Sequence, residues 1–261
     1  MNKERKYQIA IGILVSIIII NIVFLALSRP QKKKEIVLPP PAFKGRIAIV
    51  LDDWGYNTIN LGAVKQIKEP LTASVLPNLK YSQTVARQLH ESGFEIILHL
   101  PMQPKEKWGL EKNTISVSMN EAAVKKIVEH DLDDLVFADG VSNHMGSMAT
   151  EDPKTMEAVF KVLRNRKVFF LDSFVTSRSV CPVLARKMGV PFAKRDVFLD
   201  NKNDPDYIRQ QLNQLKYKAR KYGFAIGIGH DRKVTLAVLK ELMPRLEKEG
   251  YKFVFVSELA R

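Results

Sequence analysis

The stretch IVLDDWG, residues 49–55, places two adjacent carboxylates, Asp52 and Asp53, at the end of an apolar run. Two like charges side by side are costly to desolvate unless a cation lies between them or one of them holds a proton. Four more apolar runs end in groups that can do chemistry. His99 ends GFEIILH, Asn143 and His144 lie in NHMGS after ADGVS, Asp172 and Ser173 end VFFLDS, and His230 ends FAIGIGH. Two histidines and one carboxylate form a common catalytic zinc shell that keeps one position open for water, and Asp53, His99 and His144 fit it. One carboxylate of the pair then coordinates the cation, and the other stays ionised beside it as a base. The two remaining histidines, His90 and His130, lie in polar helical patterns and are predicted to face solvent.

Each of these residues also has a plainer reading. Adjacent aspartates before Gly55 and Asn57 are a turn and helix-cap signal. Asp172-Ser173 caps the segment that follows, and Arg195-Asp196 forms an internal ion couple. Trp54 and Trp108 are expected to pack in the core or rim, although either ring has a face suited to sugar. The single cysteine, Cys181, excludes an intramolecular disulfide and a cysteine metal cluster; its helical context predicts a small buried hydrophobe.

What positions these groups is an alternation of strand and helix patterns. Strands are predicted at Arg46–Leu51, Leu71–Leu76, Phe94–Leu98, Val136–Val141, Val168–Leu171, Val190–Lys194, Phe224–Ile228 and Lys252–Val256. Helical spacing covers Thr84–Glu91 and the segment after a Ser118/Glu121 capping box, while Asp152-Pro153 and Asp204-Pro205 pair a cap with an N1 proline. Such alternation predicts repeated βαβ units, here an α/β fold: a deformed (β/α) barrel of about seven units over residues 46–261. Function in parallel α/β folds gathers beyond the carboxyl ends of the strands, where all five polar sets fall.

Ahead of the barrel, every residue from Ile9 to Leu27 is apolar or small except Ser16 and Asn21. A run of that length predicts a single N-terminal transmembrane helix, a signal anchor over residues 1–28. Residues 29–45, RPQKKKEIVLPPPAFKG, read as a basic, proline-rich extended spacer. The formal net charge is +13, but residues 46 onward contribute little more than the flank does, and no Arg-aromatic motif is present. The sequence therefore predicts no nucleic-acid partner, and the basic flank suits anionic lipid or an acidic wall polymer. No Walker-type glycine loop is present, which argues against nucleotide-driven chemistry; a metal-dependent phosphoesterase is a weaker alternative.

IAIVLDDWG, GFEIILHLPMQP, VSNHMGS, FFLDSFVTSRSV, RDVFLDN and AIGIGH, in this order, resemble the divergent polysaccharide deacetylase family. This group of bacterial envelope proteins is related to NodB-type carbohydrate esterases, and the resemblance runs from about Arg46 to the C-terminus. It implies a deformed barrel that removes acetyl groups from glycans with a divalent metal, with Zn2+ the expected ion. It maps the base onto Asp52, metal ligands onto Asp53 and His99, and the acid onto His230. The family's second metal histidine falls on Gln103, so His144 is expected to supply that ligand from a neighbouring strand. Arg178 or Arg195 is expected to do the electrostatic work of the family's arginine motif. The implied partner is an acetylated glycan or peptidoglycan-type polymer. The implied location is the cytoplasmic (inner) membrane with the domain facing the periplasm or cell exterior, or secretion if the chain is cut near Ala26 and Ser28. Gln103 also motivates an alternative, a catalytically weak or inactive envelope glycan-binding module.

Overall fold

A computed structural model of the protein describes residues 2–28, 42–106 and 109–261. The chain divides into two compact units, Met1–Pro40 and Pro41–Arg261. The spacer residues 29–41 and Trp108 lie outside the described residues.

In the first unit, helix α1 spans Lys3–Leu27, and none of its residues is buried. Its mean hydropathy reaches 3.0, and it is long and apolar enough to cross a membrane. The two polar exceptions are satisfied within the helix: Ser16 Oγ donates to the Gly12 carbonyl and Asn21 Nδ2 to the Ile17 carbonyl, both at 2.9 Å. Internal pairing of this kind is what a hydrocarbon environment demands of a polar side chain.

The second unit is a curled parallel sheet with helices on its outer face. Its strands are β1 (Gly45–Trp54), β2 (Thr72–Val75), β3 (Glu95–Met102), β4 (Ala138–Met145), β5 (Phe169–Asp172), β6 (Phe192–Lys194), β7 (Val197–Phe198), β8 (Phe224–His230) and β9 (Tyr251–Phe253). They are ordered β6-β5-β4-β3-β2-β1-β8-β7, with β9 on the start of β1, and every pairing is parallel. The helices are α2 (Leu61–Val64), α3 (Ser82–His90), α4 (Glu121–Asp134), α5 (Pro153–Arg166), α6 (Cys181–Met188), α7 (Pro205–Tyr222) and α8 (Lys233–Lys248). All eight predicted strands are present; the two-residue β7 was too short to be read. Asp152 and Asp204 cap α5 and α7 as expected, accepting the Thr155 and Tyr207 amides at 2.7 Å. The cap of α4 differs from the reading: Asn120, not Ser118, accepts the Ala123 amide, while Ser118 shares a hydrogen bond with Ser116.

Strand residues alternate between two cores. Ile47, Ile49 and Leu51 join the large cluster under the helices, and Ala48 and Val50 join a small cluster inside the curl. Ile97, Leu171, Ile226 and Ile228 also face inward. The inward rows therefore continue to Asp52 on β1, His99 on β3, Ser142 and His144 on β4, and His230 on β8. Cys181, at the start of α6, is buried as expected, and Trp54 is core. His90 and His130 are exposed, as predicted.

Candidate active site

Successive strand residues point to opposite faces, so Asp52 and Asp53 cannot both face inward on a regular strand. The pairing of β1 with β2 shifts register between Leu51 and Trp54, and Asp53 takes a left-handed φ of 66°. Asp is one of the few residues that tolerates this conformation, and the bulge it makes re-aims the side chain. Both carboxylates consequently meet His99, whose Nε2 lies 3.7 Å from Asp52 Oδ2 and 3.4 Å from Asp53 Oδ1.

His144 Nδ1 lies 3.2 Å from Asp53 Oδ1, and its ring meets that of His99 edge-on with centroids 4.9 Å apart. Asp53, His99 and His144 each offer a ligand atom, all within 4.8 Å of one another. A tetrahedral ion about 2.0–2.1 Å from each ligand would set neighbouring ligand atoms about 3.3 Å apart, which the two Asp53–His separations match. Asp52 Oδ1 is buried with no hydrogen-bond partner among the described residues, a lone pair that a cation or its water would satisfy. The residues present thus fit a divalent metal.

The carboxylates are pushed apart electrostatically. Burial raises Asp52 above its ordinary value; His99 pulls the other way, and the Asp53 charge adds to the rise. Burial also opposes ionisation of Asp53, but hydrogen bonding and charge from His144 and His99 outweigh it and hold that carboxyl far below the usual range. His230 completes the cluster, its Nε2 3.7 Å from Asp53 Oδ2. Its Nδ1 is 2.9 Å from Asp200 Oδ1, and its backbone amide donates to Asp200 Oδ2. Burial lowers the His230 value, but the Asp200 bond and charge, with Asp53 and Asp52 behind them, leave it raised.

These groups open onto a cleft of about 580 Å3, with Ser173, Val175, Phe198, Glu106 and Arg232 on its walls. Asn143 and Ser173 join the ends of β4 and β5: Ser173 N donates to Asn143 Oδ1 at 2.8 Å, and Ser173 Oγ to the Asn143 carbonyl at 2.9 Å.

Three predicted residues do not line the cleft. Asp172 follows outward-facing Phe170 by two positions, so its side chain faces away from the curl. It accepts the Phe174 amide and the Ser179 hydroxyl, both at 2.7 Å, the capping role of the plainer reading. Arg178 is exposed and donates to Glu151. Arg195 forms no ion couple with Asp196; it donates to the Ser173 and Phe174 carbonyls at 2.6 and 2.8 Å, tying down the loop after β5. Asp196 instead accepts the Ile226 amide.

Gln103 is also turned away. Its Oε1 accepts the Ser116 hydroxyl and the Val117 amide, holding the segment beside β3. Asp200 was missed as a site residue, although RDVFLDN was read as a motif. Its signal was a second aspartate closing a short apolar run.

The sequence profile of the divergent polysaccharide deacetylase family matches residues 49–260. The uncharacterized protein YibQ of Escherichia coli (strain K12) is 34% identical over 211 residues, covering 81% of this chain and 66% of YibQ, just under two thirds of its length. Among solved structures, protein ATU2773 from Agrobacterium tumefaciens C58 superposes with a TM-score of 0.79 at 22% identity, covering 89% of this chain and 92% of that one. A family 4 carbohydrate esterase from Streptomyces lividans, in complex with acetate, superposes with a TM-score of 0.53 at 15% identity, covering 84% and 96%. These two likenesses show the fold. With its profile match over most of its length, the chain belongs to the divergent polysaccharide deacetylase family.

Proposed function

We propose that this protein is a metal-dependent deacetylase of a cell-envelope polysaccharide, held at the cytoplasmic membrane by residues 1–28. In this reading residues 29–45 are the spacer and 46–261 the catalytic domain, outside the membrane. The observation that carries the proposal is the convergence of Asp53, His99 and His144 from three strands beside the unpartnered Asp52 oxygen. Asp53, His99 and His144 would hold the metal, with Zn2+ the expected ion. Bound there, it supplies Lewis acidity toward an acetyl carbonyl.

The chain's own groups supply the proton transfers. Asp52 accepts a proton from the attacking water, and the raised value of its carboxyl suits a base. As the carbonyl carbon parts from the sugar nitrogen or oxygen, His230 gives its Nε2 proton to the leaving atom. The products are acetate and a free amine or hydroxyl. Asp200 favours the protonated form of His230 and holds its ring in place. Ser173 and Asn143 shape the wall, and the apolar Val175 and Phe198 offer surface to a sugar ring.

The alternative of an inactive glycan-binding module rested on Gln103. That residue has a structural task on the neighbouring segment, and His144 stands in the cluster instead. The test is acetate release from acetylated wall glycans by the full chain in detergent. Release by wild type and its loss in Asp52→Asn support the proposal; glycan binding without release in either protein favours the binding module.

A further inference from the structure

A histidine that binds a metal through Nε2 must carry its proton on Nδ1, and in a dry interior that proton needs an acceptor. For His99 the acceptor available is a hydroxyl: Nδ1 lies 2.8 Å from Ser142 Oγ. Ser142 stands directly opposite His99 in the β3–β4 register. Its own proton needs a further acceptor, and Ser74 Oγ on β2 lies 2.7 Å away. Ser74 and Ser142 are 0% exposed and His99 2%.

We infer that Ser142, backed by Ser74, is a positioning pair that presents His99 Nε2 to the metal. His99 Nδ1–H donates to Ser142, and the Ser142 hydroxyl in turn donates to Ser74. Alanine at Ser142 removes the acceptor from a site that water does not enter, which favours the wrong tautomer of His99. Neither serine touches substrate or metal. The pair spans β2, β3 and β4, so three strands set the orientation of one ring.

This inference rests on the metal reading of the site, and the experiment separates the two. Zinc affinity of the full chain in detergent is measured by competition with a chelating dye for wild type, Ser142→Ala, Ser142→Thr and Ser74→Ala. Thermal unfolding of each metal-free protein is recorded beside it. Loss of an outer partner of a ligating histidine typically costs 10–100-fold in affinity, so Ser142→Ala is expected to bind zinc that much more weakly. Ser142→Thr, which keeps the hydroxyl, is expected to restore most of the loss, and Ser74→Ala to fall between. A merely structural serine would lower the melting temperature and leave the affinity of the folded protein unchanged. Zinc binding by Ser142→Ala equal to wild type overturns the role of the serines. A folded wild type that binds no zinc overturns the metal reading itself.

Discussion

Replacing Asp200 by Asn probes the acid end of the site without touching the proposed metal ligands. The carboxylate accepts the His230 ring proton at 2.9 Å, the His230 amide at 2.9 Å and the Thr235 hydroxyl at 2.6 Å. Asn keeps one oxygen for the amide and the hydroxyl, but sets an NH2 against the ring nitrogen. The ring must then accept there, and the charge that favours imidazolium is gone. A hydrogen bond to a charged group contributes about 1.5–3 kcal/mol. At about 1.4 kcal/mol per pKa unit, the His230 value is expected to fall by about 1–2 units. His230 must be protonated to act as an acid, so the alkaline limb of the pH–rate profile shifts downward by the same amount. Stability follows the same linkage. The folded value of His230 is raised, so its contribution is complete below the unfolded value and fades as pH rises through the folded one. Asp200 is held low, so its contribution needs a pH above the ordinary carboxyl value. The stability gap between wild type and variant should thus be widest between about pH 4 and 6.5. NMR titration of the His230 ring is the assay. A His230 value that moves by less than about 0.3 unit in the variant refutes the reasoning.

Other perturbations test the scaffold beneath the site. A Cβ at Gly140 would lie 2.4 Å from the Phe169 ring. Gly140→Ala should therefore cost about 1–3 kcal/mol in urea unfolding, and an unchanged midpoint would show that the inner face of β4 is looser than described. Glu95, at the opposite end of β3, accepts the Thr72 hydroxyl and the Val256 and Ser257 amides. Glu95→Ala takes the acceptor from the Ser257 amide and the Thr72 hydroxyl, leaving the Val256 amide only its longer bond to Thr72 Oγ, and should cost about 3 kcal/mol. Burial raises the Glu95 carboxyl, so its favourable contribution is full in acid and fades as pH rises through the folded value. The gap between Glu95→Ala and wild type should accordingly narrow with rising pH, and a gap that widens contradicts the sign.

The strands were legible because β-rich runs and helical spacing alternate cleanly from Arg46 onward. The cluster was legible because Asp52, His99 and His230 are polar residues closing apolar rows. Asp172 closes an apolar run as well, but strand parity turns it outward: Phe170 lies on the helix-facing side, two positions before it, while Leu171 faces inward. Arg178 and Arg195 were expected at the site from the family's arginine motif, and a side chain's reach across loops is not written in spacing. Ser74 and Ser142 gave no signal, since a buried hydroxyl becomes informative only when its partners are known. Asp53 had a double reading, turn residue and ligand, and its left-handed bulge makes both true of its geometry.

Metal content per chain, measured on purified wild type and His144→Ala after incubation with zinc and removal of the excess, is the most direct test of the proposed centre. About one zinc per wild-type chain is expected from one three-residue shell, with loss in His144→Ala while the fold is retained. A folded wild type without zinc, or a His144→Ala protein that holds zinc as tightly as wild type, would contradict the assignment of Asp53, His99 and His144 as the metal shell.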